Sequence, residues 1–255
     1  YYLKDMIHGD RFVMMSGDLF FDIDFQRMII FMKKRAQSRH CLYIRMDIRL
    51  IQTFSCWTMM IRSSAFDSKH NVRNYWYENC VNAGIFVFEK KICDYVPEPV
   101  KRNLENDVIK GMLEAGEPIY GYCSPEYVKD VGTVERVNQT LADIERGVIA
   151  GKCLKNKQRC IFMDRDGTIN QYKGLVYKGE DFTLEDCAVD AIRKINQSGR
   201  LGIVITNQPV VARGLCEIED VENIHKKMET LLGKEGVFLD DVFYCPHHPD
   251  KGYPE

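Results

Sequence analysis

No apolar stretch in these 255 residues is long enough to cross a bilayer. Leu50–Ile61, as long as any uncharged one, runs twelve residues and includes Gln52, Thr53 and Ser55, whereas a membrane helix needs roughly 20. No excess of either charge is present. Thirty-five basic residues oppose 37 acidic ones for a net charge of −2, and the balance is even along the chain, with 20 of each up to residue 150 and 15 against 17 after it. Without a basic face, nucleic acid and an anionic membrane are not expected as partners. Clustered cysteine is also lacking. The ten cysteines (41, 56, 80, 93, 123, 153, 160, 187, 216 and 245) stand singly, unlike the framework of a small secreted domain, so a reducing compartment, the cytoplasm, is expected. Neither an initiator methionine nor a signal peptide opens the chain, and it stops in Lys-Gly-Tyr-Pro-Glu; a fragment cut at both ends is the expectation. Core-forming residues, by contrast, are plentiful. Hydrophobic residues make up 45% and aromatics 11%, which excludes disorder, and at about 150 residues per domain the length predicts two domains or one large α/β domain.

Phe12–Ser16 is an apolar run closed by Gly17 and Asp18, and the apolar residues of Phe25–Lys34 recur at helical spacing, which predicts a strand, a turn and a helix. Val81–Phe88 predicts another strand, Leu104–Ala115 a helix opened by Asn103, and Gly147–Gln158 a linker. Beyond the linker, Cys160–Met163, Leu201–Ile205 and Asp241–Tyr244 are predicted strands. Ala188–Ser198 is a predicted helix with its C-cap at Gly199, and Ile218–Leu232 another closed by Gly233. Strands alternating with helices imply a parallel doubly wound sheet whose polar site lies outside the carboxyl ends of the strands. Asp164, Thr206 and Cys245 fall at such ends. Tyr75, Trp76 and Tyr77 are expected to pack at a strand edge. Cys41–Ser64 has 14 apolar residues in 24, one acid (Asp47) and three arginines, with neither a period of 2 nor one of 3.6; a divergent core strand pair and a reading-frame error both fit it.

The chemistry concentrates at Phe162-Met163-Asp164-Arg165-Asp166-Gly167-Thr168. Two carboxylates two residues apart, just past a strand and with a glycine permitting the turn, can share one magnesium ion and one phosphate. One can attack phosphorus while the other delivers a proton to the leaving oxygen and later activates water. Alone, an Asp-x-Asp is an acidic turn; the apolar strand before it and Gly-Thr after it favour catalysis. This segment resembles the D-x-D-G-T motif of the haloacid dehalogenase superfamily. Val204-Ile205-Thr206-Asn207-Gln208, followed by Ala212-Arg213-Gly214, resembles the second motif of that superfamily's histidinol-phosphate and heptose-bisphosphate phosphatase branch, and Cys245-Pro246-His247-His248-Pro249 resembles the branch's zinc loop.

The resemblance implies Asp164 as nucleophile, Asp166 as general acid/base, both at a magnesium ion, and Thr206, Asn207 and Arg213 as substrate-binding residues, Arg213 by forked bonds to a second phosphate. Pro209-Val210 replace the Ser-Gly usual in the branch. Cys245 and His247 would be half of a tetrahedral zinc site, with His248 a spectator; the completing Cys-x-Cys, the phosphate-binding lysine and a late aspartate would stand beyond Glu255. His8, His40, His70 and His225 have no ligand-spaced partner and are expected to be structural.

The first 150 residues carry a second signal. Ser16-Gly17-Asp18 after an apolar strand, Asn82-Ala83-Gly84 and Lys129-Asp130-Val131-Gly132-Thr133, in that order, resemble the sugar-1-phosphate nucleotidyltransferases. The likeness implies Asp18 and Asp130 as magnesium ligands on the nucleotide phosphates, Asn82 and Gly84 beside the sugar, and Lys69 where the family has Glu-Lys-Pro. The family's glycine-rich nucleotide-cradling loop has no counterpart here.

The expected fold class is therefore α/β, with two doubly wound domains: a partial nucleotidyltransferase-like (Rossmann-like) domain over 1–146, a linker over 147–158, and a haloacid dehalogenase-like Rossmannoid domain over 159–255 that lacks its C-terminal part. The implied function is a magnesium-dependent phosphatase acting on a sugar bisphosphate, D-glycero-D-manno-heptose 1,7-bisphosphate, fused to a nucleotidyltransferase, in surface-polysaccharide precursor synthesis. Sugar phosphates and nucleoside triphosphates would be its substrates. Histidinol-phosphate phosphatase, or a phosphatase with a non-catalytic sugar- or nucleotide-binding module, is the alternative.

Overall fold

The structure, a computed structural model, describes residues 2–35, 41–46, 74–79, 81–117 and 119–251. These residues form two units, with 2–35, 41–46, 81–117 and 119–140 in the first and 74–79 with 141–251 in the second.

In the first unit, β1 (Arg11–Met15), β2 (Leu19–Asp22), α1 (Phe25–Arg35), β3 (Cys41–Met46) and β4 (Val81–Glu89) precede α2 (Lys110–Glu114), β5 (Ile119–Ser124) and β6 (Tyr127–Asp130). Four strands pair in the order β1-β4-β3-β5. β4 runs antiparallel to both neighbours and β3 parallel to β5, so the sheet is mixed. The sequence of β4 explains why it is central. Its apolar run has something to bury on both faces: Ala83, Ile85 and Val87 pack into a cluster with Ile23 and Met28, the latter on α1. Phe86 and Phe88 point the other way, into a cluster with Val108, Ile109 and Met112. The helix predicted after Asn103 begins as a π-turn, Leu104–Ile109, and continues as α2. Asn103 caps it, its side chain accepting from the Glu105 and Asn106 N–H groups at 3.0 and 2.8 Å.

β3 is the described part of the ambiguous Cys41–Ser64 segment, and 47–64 lies outside the described residues, as does Lys69. β2 was not foreseen. Its four residues follow Gly17-Asp18 at once, and its partner β6 is more than a hundred residues away, so nothing local marks it.

α3 (Val134–Glu145) spans residue 140, where the first unit gives way to the second. The stretch 147–158, expected as a linker, carries α4 (Val148–Lys152). Lys152 is buried and pairs with buried Asp240 at 2.8 Å, while the other Asp240 oxygen accepts the Gly202 N–H at 2.8 Å.

β7 (Cys160–Met163), α5 (Ala188–Gln197), β8 (Leu201–Asn207), α6 (Ile218–Lys234) and β9 (Asp241–Cys245) follow, and the three strands pair parallel in the order β7-β8-β9. Val204 of β8, Ile192 of α5 and Ile224, Met228 and Leu232 of α6 share one core. Gly199 closes α5 as expected, at φ +69°. α6 does not stop at Gly233, which is internal to it. A Cβ at Gly233 would sit 2.8 Å from the Asn79 side chain, so this glycine serves close approach rather than helix termination. Residues 74–79 lie along α6 rather than at a strand edge. Thr230 Oγ1 accepts the Tyr77 N–H at 2.9 Å, the Asn79 N–H donates to Glu229 at 2.8 Å, and the Trp76 ring lies within 6 Å of the Lys227 and Lys234 ammonium groups.

Candidate functional site

In the second unit β7 ends at Met163 and hands Asp164 to the loop at its carboxyl end. Asp164 is exposed, and its Oδ1 accepts the Arg165 N–H at 2.7 Å. The loop closes tightly. The Arg165 carbonyl accepts from the Thr168, Ile169 and Asn170 N–H groups, and Gly167, at φ +79°, donates to the Asn170 carbonyl at 2.7 Å; a side chain at that φ would be strained, which explains the glycine.

Asp166 is held on both oxygens. Arg165 grips it with a fork, Nε to Oδ1 at 3.1 Å and Nη2 to Oδ1 and Oδ2 at 2.9 and 3.0 Å, while Asn170 Nδ2 donates to Oδ1 at 3.0 Å and Gln208 Nε2 to Oδ2 at 2.9 Å. Asn170 serves Asp166 at the expense of its own Oδ1, which is buried without a partner; such an acceptor costs about 1–3 kcal/mol. Arg165 is fully buried, and its Nη1 stands 3.3 Å from His225 Nε2. Since arginine can only donate, Nε2 accepts and the ring is neutral. Burial, then the Arg165 charge, push the His225 pKa down to about 3, with Asp166 opposing.

Thr206, near the end of β8, is buried, and its hydroxyl accepts from the same Gln208 amide at 3.0 Å, so one side chain joins Asp166 to Thr206. Asn207 and Arg213 are exposed. Arg213 Nη2 lies 3.2 Å from His248 Nε2, so His248, expected as a spectator, contacts a predicted substrate residue. At the end of β9, Cys245 Sγ and His247 Nδ1 are 3.5 Å apart. Among the described residues, no three His, Cys, Asp or Glu side chains converge as a metal site.

In the first unit the β2/β6 pairing sets Leu19 opposite Asp130, and the Val131 N–H donates to the Asp18 carbonyl at 2.8 Å. The two carboxylates approach one point: a Cβ on Gly132 would lie 3.0 Å from Asp130 Oδ1 and 3.7 Å from Asp18 Oδ2. Asp130 also accepts the Gly132 N–H at 2.7 Å and pairs with Arg136 at 2.7 Å. Gly84, at φ +70°, receives the Ser16 N–H on its carbonyl at 3.0 Å and donates its own N–H to Asn82 Oδ1 at 2.9 Å; Asn82 Nδ2 donates to Glu105. Ser16 therefore ties the loop that carries Asp18 to the strand that carries Asn82 and Gly84.

Sequence reasoning missed Arg165, Asn170, Gln208 and His225. A cation between two aspartates and an amide two residues after Thr206 were available as signals for Arg165 and Gln208. His225 had none, because its partner is 60 residues away.

Two units that gather carboxylates at or just past strand ends define the chain as an α/β enzyme. Residues 1–147 match the Nucleotidyl transferase family, and the chain belongs to that family. Its other part is similar to the D-glycero-beta-D-manno-heptose-1,7-bisphosphate 7-phosphatases of Yersinia pestis, 38% identical over 95 residues (37% of this chain, 50% of the relative), and of Escherichia coli strain K12, 39% identical over 95 residues with the same two shares. Among solved structures, the D,D-heptose 1,7-bisphosphate phosphatase of B. bronchiseptica, complexed with magnesium and phosphate, is similar at a TM-score of 0.36 and 33% identity over 38% of this chain and 54% of that one. The chain spans about half the length of the curated relatives it matches.

Proposed function

We propose that the second unit is a phosphatase that removes one phosphate from a sugar bisphosphate, heptose 1,7-bisphosphate, through an aspartyl-phosphate, and that the first is a sugar-1-phosphate nucleotidyltransferase. One observation carries the phosphatase reading: Asp164 stands exposed at a strand end, beside an Asp166 whose two oxygens are held by Arg165, Asn170 and Gln208. The two carboxylates thus differ in environment: Asp164 is open to a phosphate, and Asp166 is held in place beside it. An Asp164 oxygen attacks phosphorus, the ester oxygen leaves with a proton from Asp166, and Asp166 then takes a proton from the water that cleaves the acyl phosphate. The sum is ester plus water to alcohol plus phosphate. Thr206 donates a hydrogen bond from its hydroxyl to the transferring group, and Asn207 and Arg213 hold the rest of the substrate.

Magnesium fits the hard carboxylate oxygens. Asp166 is engaged by its donors, so Asp164 would carry most of the ion's side-chain coordination, with Asp166 beside it, and the ion would offset the charge of the phosphate. Asp18 and Asp130 would hold a second ion in the first unit. Cys245 and His247 are separated as two donors on one tetrahedral zinc would be, about 3.6 Å from ordinary bond lengths, and would be half of such a site. The names of the relatives support the heptose bisphosphate, and a phosphatase of that product class gives an adjoining transferase its sugar 1-phosphate.

Phosphate release from heptose 1,7-bisphosphate by the full-length protein, with histidinol phosphate as the comparison substrate, tests the reading. Asp164→Asn should abolish release, because an amide is a poor nucleophile and a poor magnesium ligand. Turnover of more than a few per cent of wild type in a folded Asp164→Asn protein would remove Asp164 from its role. Nucleotide binding without transfer would leave the first unit a binding module.

A further inference from the structure

We infer that His225 is a positioning residue for phosphate release, acting from α6 through Arg165 to set the orientation of Asp166. The inference rests on the phosphatase reading and goes beyond the residues which that reading uses.

Arg165 is fully buried, so each edge of its guanidinium needs a partner inside the protein. The Nε/Nη2 edge is spent on Asp166, and its main-chain carbonyl is fixed by three N–H groups of the loop. What remains is Nη1, and His225 Nε2 faces it at 3.3 Å. A planar fork pinned at both ends cannot pivot, and Asp166 cannot rotate without it. The histidine is itself fixed. It sits on α6 among Ile224, Met228 and Leu232, which are core residues, and its ring meets the Tyr244 ring of β9 edge-on at 5.1 Å. Position is thereby passed from the helix core to a carboxylate that must stay within hydrogen-bond reach of the leaving oxygen.

The feature of His225 that matters is an acceptor at the right reach. A glutamine carbonyl can supply one, and a leucine cannot. Loss of the acceptor leaves a buried guanidinium edge unpaired, and the fork tilts to find another partner; misplacement by about 1 Å costs ~100-fold in rate. Binding should be spared, because the substrate residues Asn207 and Arg213 are on another loop.

The test is steady-state phosphate release by the full-length protein. Wild-type turnover together with its loss in Asp164→Asn establishes the phosphatase reading, so absence of turnover in the wild type refutes that reading and not the placement of His225. With turnover in hand, His225→Leu should lower kcat about 10- to 100-fold with KM within about threefold, and His225→Gln should recover most of the loss. In an Arg165→Lys background, where the fork is already gone, His225→Leu should cost little more, so the two changes are strongly non-additive. If His225→Leu does not fold, His225→Gln is compared with His225→Asn, which keeps the polarity but not the reach and should be the slower. A folded His225→Leu protein with near wild-type kcat, a His225→Gln as slow as His225→Leu, an effect confined to KM, or additivity with Arg165→Lys would each overturn the inference.

Discussion

At the scale of the residue, His225 shows how a fold sets the charge of a group that titrates near neutrality in water. Burial and the Arg165 guanidinium keep it neutral down to about pH 3, Asp166 opposing and the Tyr244 ring against its edge. The unfolded chain, with an ordinary histidine near 6.5, binds a proton that the folded protein refuses, so stability rises with pH between those values and is lost as the pH falls through them. Above about pH 6.5 the contribution is complete. Lowering the pH from 7 to 5 should therefore cost the wild type about 2 kcal/mol more than His225→Gln, read as a steeper fall in denaturant midpoint. Gly84 makes a similar point about backbone. At φ +70°, with a Cβ that would come within 2.9 Å of Ser16 Oγ, Gly84→Ala should destabilise the first unit by at least about 1–2 kcal/mol and lower its Tm. The carboxylates of both sites were legible in the sequence, since Asp164-x-Asp166, Gly17-Asp18 and Asp130-Val131-Gly132-Thr133 are local patterns. Their donors were not. Arg165 was read as the spacer of a motif and His225 as a structural histidine, because a hydrogen bond between residues 60 apart leaves no trace in spacing.

At the scale of the element, strands were the most readable part. β4 carries the apolar run Ile85–Phe88, and a strand buried on both faces uses every position of such a run. β7 and β8 end where Asp164 and Thr206-Asn207 interrupt the apolar pattern, and β9 ends at Cys245, just before Pro246. Of the elements that escaped, β2, β6 and α4 are four or five residues long, and elements so short owe their form to what they touch; β5 and the twelve-residue α3 escaped as well. α4 is held by the Lys152–Asp240 pair, with both side chains at least nine-tenths buried. Asp240→Ala should remove the buried counter-ion of Lys152 and cost about 3–5 kcal/mol, far more than the median exposed ion pair. The Lys152→Met, Asp240→Leu double replacement should recover much of that loss. Both are read as changes in denaturant midpoint, and a near-neutral Asp240→Ala would mean that 147–158 behaves as the linker its composition suggests. Gly233 was misread for the opposite reason: a glycine late in a helix has two explanations, and only the position of Asn79 decides between them.

At the scale of the whole molecule, each unit has its own apolar core and its own pair of carboxylates. Units with separate cores fold and act as separate bodies, so chemistry removed from one should persist in the other. Asp130→Ala is a suitable probe because its structural cost is small. Its salt bridge to Arg136 is more than a third exposed on both sides, a setting in which ion pairs contribute little to stability, and the Gly132 N–H it accepts can turn to water. What the substitution does remove is one of the two carboxylates that approach Gly132, which under the proposed function would together hold the cation on the nucleotide phosphates. Nucleotidyl transfer by the full-length protein should then need a divalent cation and fail in Asp130→Ala, while phosphate release stays within about twofold of wild type, and Asp164→Asn should show the reverse pattern. Were Asp130→Ala to remove both activities with its Tm unchanged, the two carboxylate pairs would have to belong to one reaction cycle rather than two.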